Sequence, residues 1–368
     1  MQQRYAVLLI CLSIGLFSCG SNKSNPTDSF DRKAMLTHFA DEMIVPAYNA
    51  LDFSLSSLET AANNLTNNPE EAWLMQAREA WKTSYLEWMR AVAYNFGPAG
   101  EDGLRKGLIE EIGTFPASEV KVDSVLIKGA WNLNDFNRDA RGFLTVEYLI
   151  FGKNQSNAEV VALFAADANR RNYLLAVVQD IRQRVAAVRD GWSSQGYRND
   201  FIANDGTDSG SSTSTLYNEF VRSYESIKNF KLGLPMGKRP GQTQAEPLLV
   251  EAYYSGETLT MLKAHLETIE NIWRGRTRNG FDGPGFRDYL ESVQGGPDLI
   301  TSTEAQLTAL KNALNTVPGS PSVSELISSN NTSLEALYVE LSKMTRFFKS
   351  DLSSLLGIAI TYSSGDGD

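Results

Sequence analysis

Apolar residues recur along this chain at alternating intervals of three and four, and that spacing constrains the fold more than any other feature. Leu174, Val178, Ile181, Val185 and Val188 follow it, as do Leu307, Leu310, Leu314 and Val317. A longer run joins Leu334, Leu337, Leu341, Met344, Phe348, Leu352 and Leu355. Each set forms one apolar stripe on a helix of 3.6 residues per turn, the pattern of a bundle helix. Trp73, Ala77, Trp81, Tyr85 and Trp88 make a bulky aromatic version, which reads as core packing rather than a cofactor box. Period-two alternation between turn residues is nearly absent, so the expected fold class is all-α.

Helix boundaries are legible at several points. Asn68-Pro69-Glu70-Glu71 reads as a cap, a proline at the first helical position and acids in the first turn. Ser324 or a neighbour suits the cap of the last helical region. Breaks fall at 96–100, 232–241, 276–285 and 317–321. The clearest boundary is the Gly/Ser/Thr/Asp-rich stretch 204–215, which lacks an apolar anchor. It separates an N-terminal helical bundle, 30–203, from a C-terminal one, 216–362, with 363–368 as a tail. Each half has room for about four helices. The expected architecture is two up-and-down bundles packed as a pseudo-duplicated pair, although the halves share no obvious sequence identity.

The N-terminus predicts export. Residues 1–18 combine an early Arg4 with the apolar run Ala6–Phe17, too short for a comfortable membrane span and suited to a signal peptide. Leu16-Phe17-Ser18-Cys19-Gly20 resembles a bacterial lipobox, which implies cleavage before Cys19 and lipidation of its sulfur. Residues 19–29 then serve as a lipidated, flexible stalk. The expected location is the cell envelope, with the body anchored through Cys19 to the outer membrane and facing the periplasm.

Charge and composition remove several functions. With 34 Lys and Arg against 44 Asp and Glu, the net charge of −10 opposes nucleic-acid binding. Two cysteines exclude a disulfide scaffold, and two histidines exclude a His-rich metal cage. The stretch Asp205–Gly210 resembles the start of a calcium loop, but Leu216 stands where a bidentate Glu belongs. Gly233–Lys238 lacks phosphate-loop spacing. His38 and His265 read as structural histidines.

The segment Arg141-Gly142-Phe143-Leu144-Thr145-Val146-Glu147-Tyr148-Leu149-Ile150-Phe151-Gly152 places one acid in an apolar helix. A buried acid there needs a cation, a metal or a hydrogen-bond network. The segment resembles the Gly-x-His-x-x-Glu signature of the imelysin family, bacterial envelope proteins also classed as a metallopeptidase family. Val45-Pro46-Ala47-Tyr48, the stretch from Trp81 to Pro98, Ile109–Pro116 and Glu251-Ala252-Tyr253-Tyr254-Ser255 are similar to further family segments, in the same order. The resemblance implies two helical bundles with a cleft between them and a role in iron or other metal uptake.

Gly142 and Glu147 match the signature, but Leu144 stands where it has histidine. The resemblance therefore carries over only Glu147 as a functional acid and candidate ligand for iron or another hard cation. Gly142 permits a close helix approach. Arg141 pairs either with an acid or with a ligand carboxylate. Tyr148 completes the motif, while Glu251, Tyr254 and Ser255 face the same site or pack between the halves; Glu110 and Glu111 are further carboxylates. The expected function is a tethered protein binding a metal, a metal complex or a small ligand near Glu147. The alternative is a non-catalytic accessory lipoprotein docking to an uptake-complex protein. Peptidase activity is a third reading, opposed by the missing histidine.

Overall fold

The computed structural model describes residues 30–101, 107–193 and 195–362. The expected signal peptide, the lipidated Cys19, the stalk and the tail lie outside these residues. Among the described residues no sheet forms, and a single antiparallel bridge pairs Arg276 with Asp282. The protein is all-α.

The N-terminal half begins with α1 (Arg32–His38), continues through a π-helical turn (Phe39–Ile44), and runs on into α2 (Val45–Asn67). Helix α3 (Glu71–Ala91) returns against α2. Short helices α4 (Leu108–Ile112) and α5 (Glu119–Lys128) precede α6 (Phe143–Phe151), which carries the signature segment. Helix α7 (Asn157–Ala166) leads into α8 (Ala168–Gly191), and α8 packs along α2 and α6. Helix α9 (Tyr197–Ala203) closes this half.

In the second half, α10 (Ser212–Ser226) passes directly into another π-helical turn (Ile227–Gly233). After a long irregular segment come α11 (Thr258–Arg274), α12 (Phe286–Glu291) and α13 (Gly296–Thr316). Helices α14 (Val323–Ser328), α15 (Thr332–Arg346) and α16 (Leu352–Leu356) complete the fold, with a third π turn at Phe347–Asp351. Helices α13 and α15 pair, while α3 and α11 pack together across the two halves. One apolar cluster runs through both halves, so they share a core.

The stripes read from the sequence are the buried faces, with one instructive slip. Leu334, Leu337, Leu341, Met344, Phe348 and Leu352 are buried, but Leu355 is 39% exposed and Leu356 only 4%. The π turn at Phe347–Asp351 advances the register, so the stripe continues by four to Leu356. The first helices of the two halves share a device that sequence comparison does not reveal. Pro46 and Pro235 each stand two residues beyond a π turn. A proline ring collides with the carbonyl four residues earlier, and a wider turn relieves that collision.

Two boundary expectations need correction, and a third becomes specific. Helix α3 starts at Glu71 with extended Glu70 as its cap, so Pro69 precedes the helix instead of opening it. Of Ser324 and its neighbours, Ser322 caps α14 in a reciprocal box with Glu325, while the longer α15 is capped by Asn331. The stretch 204–215 is anchored: Ser211 caps α10, and Ser212, Thr213 and Ser214 form its buried first turn. Small hydroxylated side chains tolerate burial because they bond back to the local backbone. Arg32 also donates to the Asp205 carbonyl at 2.7 Å, tying this loop to the start of α1.

Candidate functional site

Glu147 occupies the middle of α6 and is completely buried. Gly142 places this helix. Its φ is +78°, and a Cβ there would lie 2.4 Å from the Ile112 carbonyl oxygen. Only glycine combines that conformation with so close a backbone approach. Leu144, one turn from Glu147, is also buried and offers no donor or acceptor.

Glu147 meets the second half through the turn that precedes α11. The Ser255 backbone N–H donates to Glu147 Oε1 at 2.8 Å, and the Ser255 hydroxyl donates to the same oxygen at 2.6 Å. The other oxygen, Oε2, is buried without a hydrogen-bond partner. Burial drives the Glu147 pKa up to about 8; the Ser255 hydrogen bonds oppose the shift, while Glu251 adds to it. At neutral pH the side chain is therefore mostly protonated.

Glu251 completes the contact. The Tyr85 hydroxyl on α3 donates to Glu251 Oε1 at 2.7 Å, and the Lys231 ammonium lies 2.8 Å from Glu251 Oε2. Lys231 also contacts Met89 Sδ at 3.1 Å. Desolvation pulls the Lys231 pKa down, and Glu251 pulls it back. Beside this group, the Ser223 hydroxyl and His265 Nε2 are 2.7 Å apart. Burial, reinforced by Lys231, holds His265 well below its ordinary pKa, so its imidazole is neutral.

Tyr254 and Tyr148 extend the contact outward. Their rings are 5.0 Å apart; Tyr254 donates to Glu119 at 2.8 Å and Tyr148 to Asp123 at 2.9 Å. Lys82 pairs with Glu257 at the same junction. The segment 251–257 is thus fastened to α3, α5 and α6 by polar side chains.

A cleft of about 770 Å³ opens between the halves beside this junction. Trp88, Phe115 and Phe136 line it from the N-terminal half; Ser223, Phe230 and Lys231 line it from the other, with Glu251. The π turn Ile227–Gly233 supplies both Phe230 and Lys231. Every acid in its wall already has an internal cation. Asp139 pairs with Lys121, Glu110 with Arg138, Glu219 with Arg222, Glu225 with Lys349 and Glu251 with Lys231.

The expected site is thereby divided. The structure brings Glu147, Tyr148, Glu251, Tyr254 and Ser255 together at the junction, but Glu147 lies behind the cleft and does not line it. Arg141 belongs elsewhere. Its Nη2 sits 2.5 Å from Glu111 Oε2, an acid shared with Arg184 at 2.9 Å and Arg138 at 3.4 Å. The arginine that opens the motif ties α4 to the turn before α6 through Glu111. Among the described residues no cluster of three or more His, Cys, Asp or Glu is placed to hold a metal. The motif itself fits one poorly, since its histidine position is the apolar Leu144 and its acid already accepts from two donors of Ser255 through one oxygen.

Both histidines are buried in hydrogen bonds. His38 contacts the Gly275 carbonyl at 2.7 Å, and His265 contacts Ser223. Lys231, Tyr85 and Ser223 escaped the sequence reading. Lys231, set between Phe230 and Leu232 just before an apolar run, was the signal available.

The sequence model of the imelysin family, peptidase family M75, matches residues 44–346. The iron-regulated protein A of Synechococcus elongatus is 23% identical over 327 residues, covering 86% of this chain and 83% of its own length. Two solved structures share the fold. An imelysin-like protein from Psychrobacter arcticum superposes with a TM-score of 0.71 at 19% identity, covering 90% of this chain and 97% of its own. An iron-regulated protein A precursor from Parabacteroides distasonis gives 0.70 at 16% identity, covering 88% and 95%. A match over most of its length, on the segments that build this junction, places the chain in the imelysin family.

Proposed function

We propose that this protein is an envelope-tethered binding protein that takes a small organic molecule or a metal chelate, rather than a bare cation, in the cleft between its halves. The cleft carries the reading: it is large enough for such a ligand, walled by Trp88, Phe115, Phe136 and Phe230, and its acids are already neutralised. Apolar walls with a few convergent polar groups suit organic ligands, whereas a hard cation needs uncommitted carboxylates. Two relatives bear the name iron-regulated protein A, which supports an iron-related role. The lipobox-like stretch supports attachment through Cys19, and the absence of an acid directly after Cys19, in Gly20-Ser21-Asn22-Lys23, favours the outer membrane. Among the described residues no helix is long and apolar enough to cross a membrane.

Hydrolysis gains no support from Ser223 and His265. An imidazole held neutral by burial and by Lys231 is a weak general base, and its Nδ1 has no orienting partner. A second reading, docking to an uptake-complex protein, rests on Val120 and Ile127. They stand seven residues apart on α5 and are 79% and 85% exposed.

The test is titration calorimetry with ferric citrate, a ferric hydroxamate and the iron-free chelators, beside ferrous, zinc, calcium and manganese salts. The expected result is chelate or chelator binding that Phe230→Ala weakens, with no heat from the bare salts. Binding of a bare salt and of no chelate contradicts the reading. Val120→Ser/Ile127→Ser leaves ligand binding intact and removes only a docking function.

A further inference from the structure

The family signature places a histidine and a glutamate one turn apart, where they could share a metal or a proton. This chain keeps the glutamate and a converging second acid, yet the surroundings of both are built for a different charge. Glu147 and Glu251 reach the junction from opposite halves, and both act on the Tyr85 hydroxyl. Leu144 provides no ligand. Glu147 Oε1 accepts from two Ser255 donors, neither of which yields its place to a cation without losing a hydrogen bond. Glu251 Oε2 faces the Lys231 ammonium, and both side chains are nearly inaccessible, 3% and 5% exposed.

We infer that Lys231 fills the electrostatic place of the metal ion, so the junction is charge-balanced by an internal cation and takes no divalent one. The Lys231 ammonium lies against Glu251, while Glu147 is held by the two neutral donors of Ser255. A divalent cation entering here meets a buried ammonium at close range in a medium that screens little. It also needs several anionic oxygens, and three of the four carboxylate oxygens here are already bonded to Ser255, Tyr85 or Lys231. Removing the ammonium reverses the situation. Two acids from opposite halves, with the Tyr85 and Ser255 hydroxyls and the Met89 thioether beside them, then lack a cation. The π turn Ile227–Gly233 is what delivers Lys231 to this point, consistent with the frequent placement of π turns at functional sites.

This inference stands apart from the cleft reading, because a cleft that binds nothing leaves it intact. The experiment is native mass spectrometry and thermal melting of wild type, Lys231→Gln and Lys231→Arg, with calcium, manganese, zinc and ferrous ions offered in turn. Wild type and Lys231→Arg are expected to take no stoichiometric metal and to melt at an unchanged temperature. Lys231→Gln is expected to melt lower and to bind one divalent cation per chain at least about tenfold more tightly than wild type, because a neighbouring positive charge is gone. The bound ion should raise its melting temperature, and adding Glu251→Gln should abolish both effects. Two results overturn the inference: a wild-type cation released by Glu147→Gln or Glu251→Gln, or a folded Lys231→Gln that binds no more metal than wild type. If Lys231→Gln does not fold, the choice falls to its unfolded fraction. Recovery of fold on adding a divalent ion supports the inference, and no recovery with any of the four counts against it.

Discussion

Glu147 should make the protein lose stability as pH rises through the neutral range, against the usual behaviour of a paired carboxylate. Its folded pKa, about 8, lies above the ordinary 4.5. Between those values the folded chain holds a proton that the unfolded chain has released. Stability from this group is therefore full below pH 4.5, falls by about 1.4 kcal/mol per pH unit, and is lost as pH passes the folded pKa. From pH 5 to pH 8 the loss comes to about 3.5 kcal/mol. His265 works the other way: its lowered pKa contributes stability above 6.5 that disappears as pH falls. The comparison therefore needs Glu147→Gln, which keeps an acceptor for Ser255, leaves His265 untouched and cannot titrate. Its amide places two N–H donors at the unpartnered Oε2 position where the protonated carboxyl places one O–H, a pH-independent cost of about 1–3 kcal/mol. Urea denaturation at half-unit steps from pH 5 to 9 measures both proteins. The gap between the two curves should close with rising pH and reverse sign near its upper end. Parallel curves refute the claim that Glu147 is a neutral buried acid.

Other substitutions probe the scaffold of the same junction. Gly142→Ala should destabilise by about 2–4 kcal/mol in denaturant melts, because it adds a positive-φ penalty to a clash with the Ile112 carbonyl. Glu111→Ala strips a shared carboxylate from Arg138, Arg141 and Arg184 and should cost about 3–5 kcal/mol; Glu111→Gln should recover only part of it. Tyr85→Phe removes one donor to Glu251 and should cost about 1–3 kcal/mol, with no change in far-ultraviolet circular dichroism.

The helices were legible because their apolar stripes decide which face is buried, and Leu174 through Val188 show this without exception. What the stripes did not announce were the π turns. These are local departures from 3.6 residues per turn, and only the prolines at 46 and 235 hint at two of them. The slip from Leu355 to Leu356 is the visible consequence. Resemblance located Glu147, Glu251 and Ser255, which do converge, but spacing could not show that Glu147 lies behind the cleft. Arg141 shows the limit most clearly. Two roles were open from sequence, and the pairing the structure shows is with Glu111, thirty residues away and brought alongside by the packing of α4 on the turn before α6. Lys231 was missed because lysines in an amphipathic helix normally mark the solvated face, and here one of the two in the π turn is buried.

The central claim is that the signature acid is a neutral hydrogen-bond acceptor joining the two halves, not a metal ligand. Infrared difference spectroscopy of wild type against Glu147→Gln, titrated from pH 5 to 9, tests it most directly. The account predicts one protonated-carboxyl carbonyl band, absent from the variant, that disappears with a midpoint near pH 8 and is unmoved by divalent salts. A Glu147 carboxylate already ionised at pH 6, or a band that a divalent salt abolishes, contradicts it.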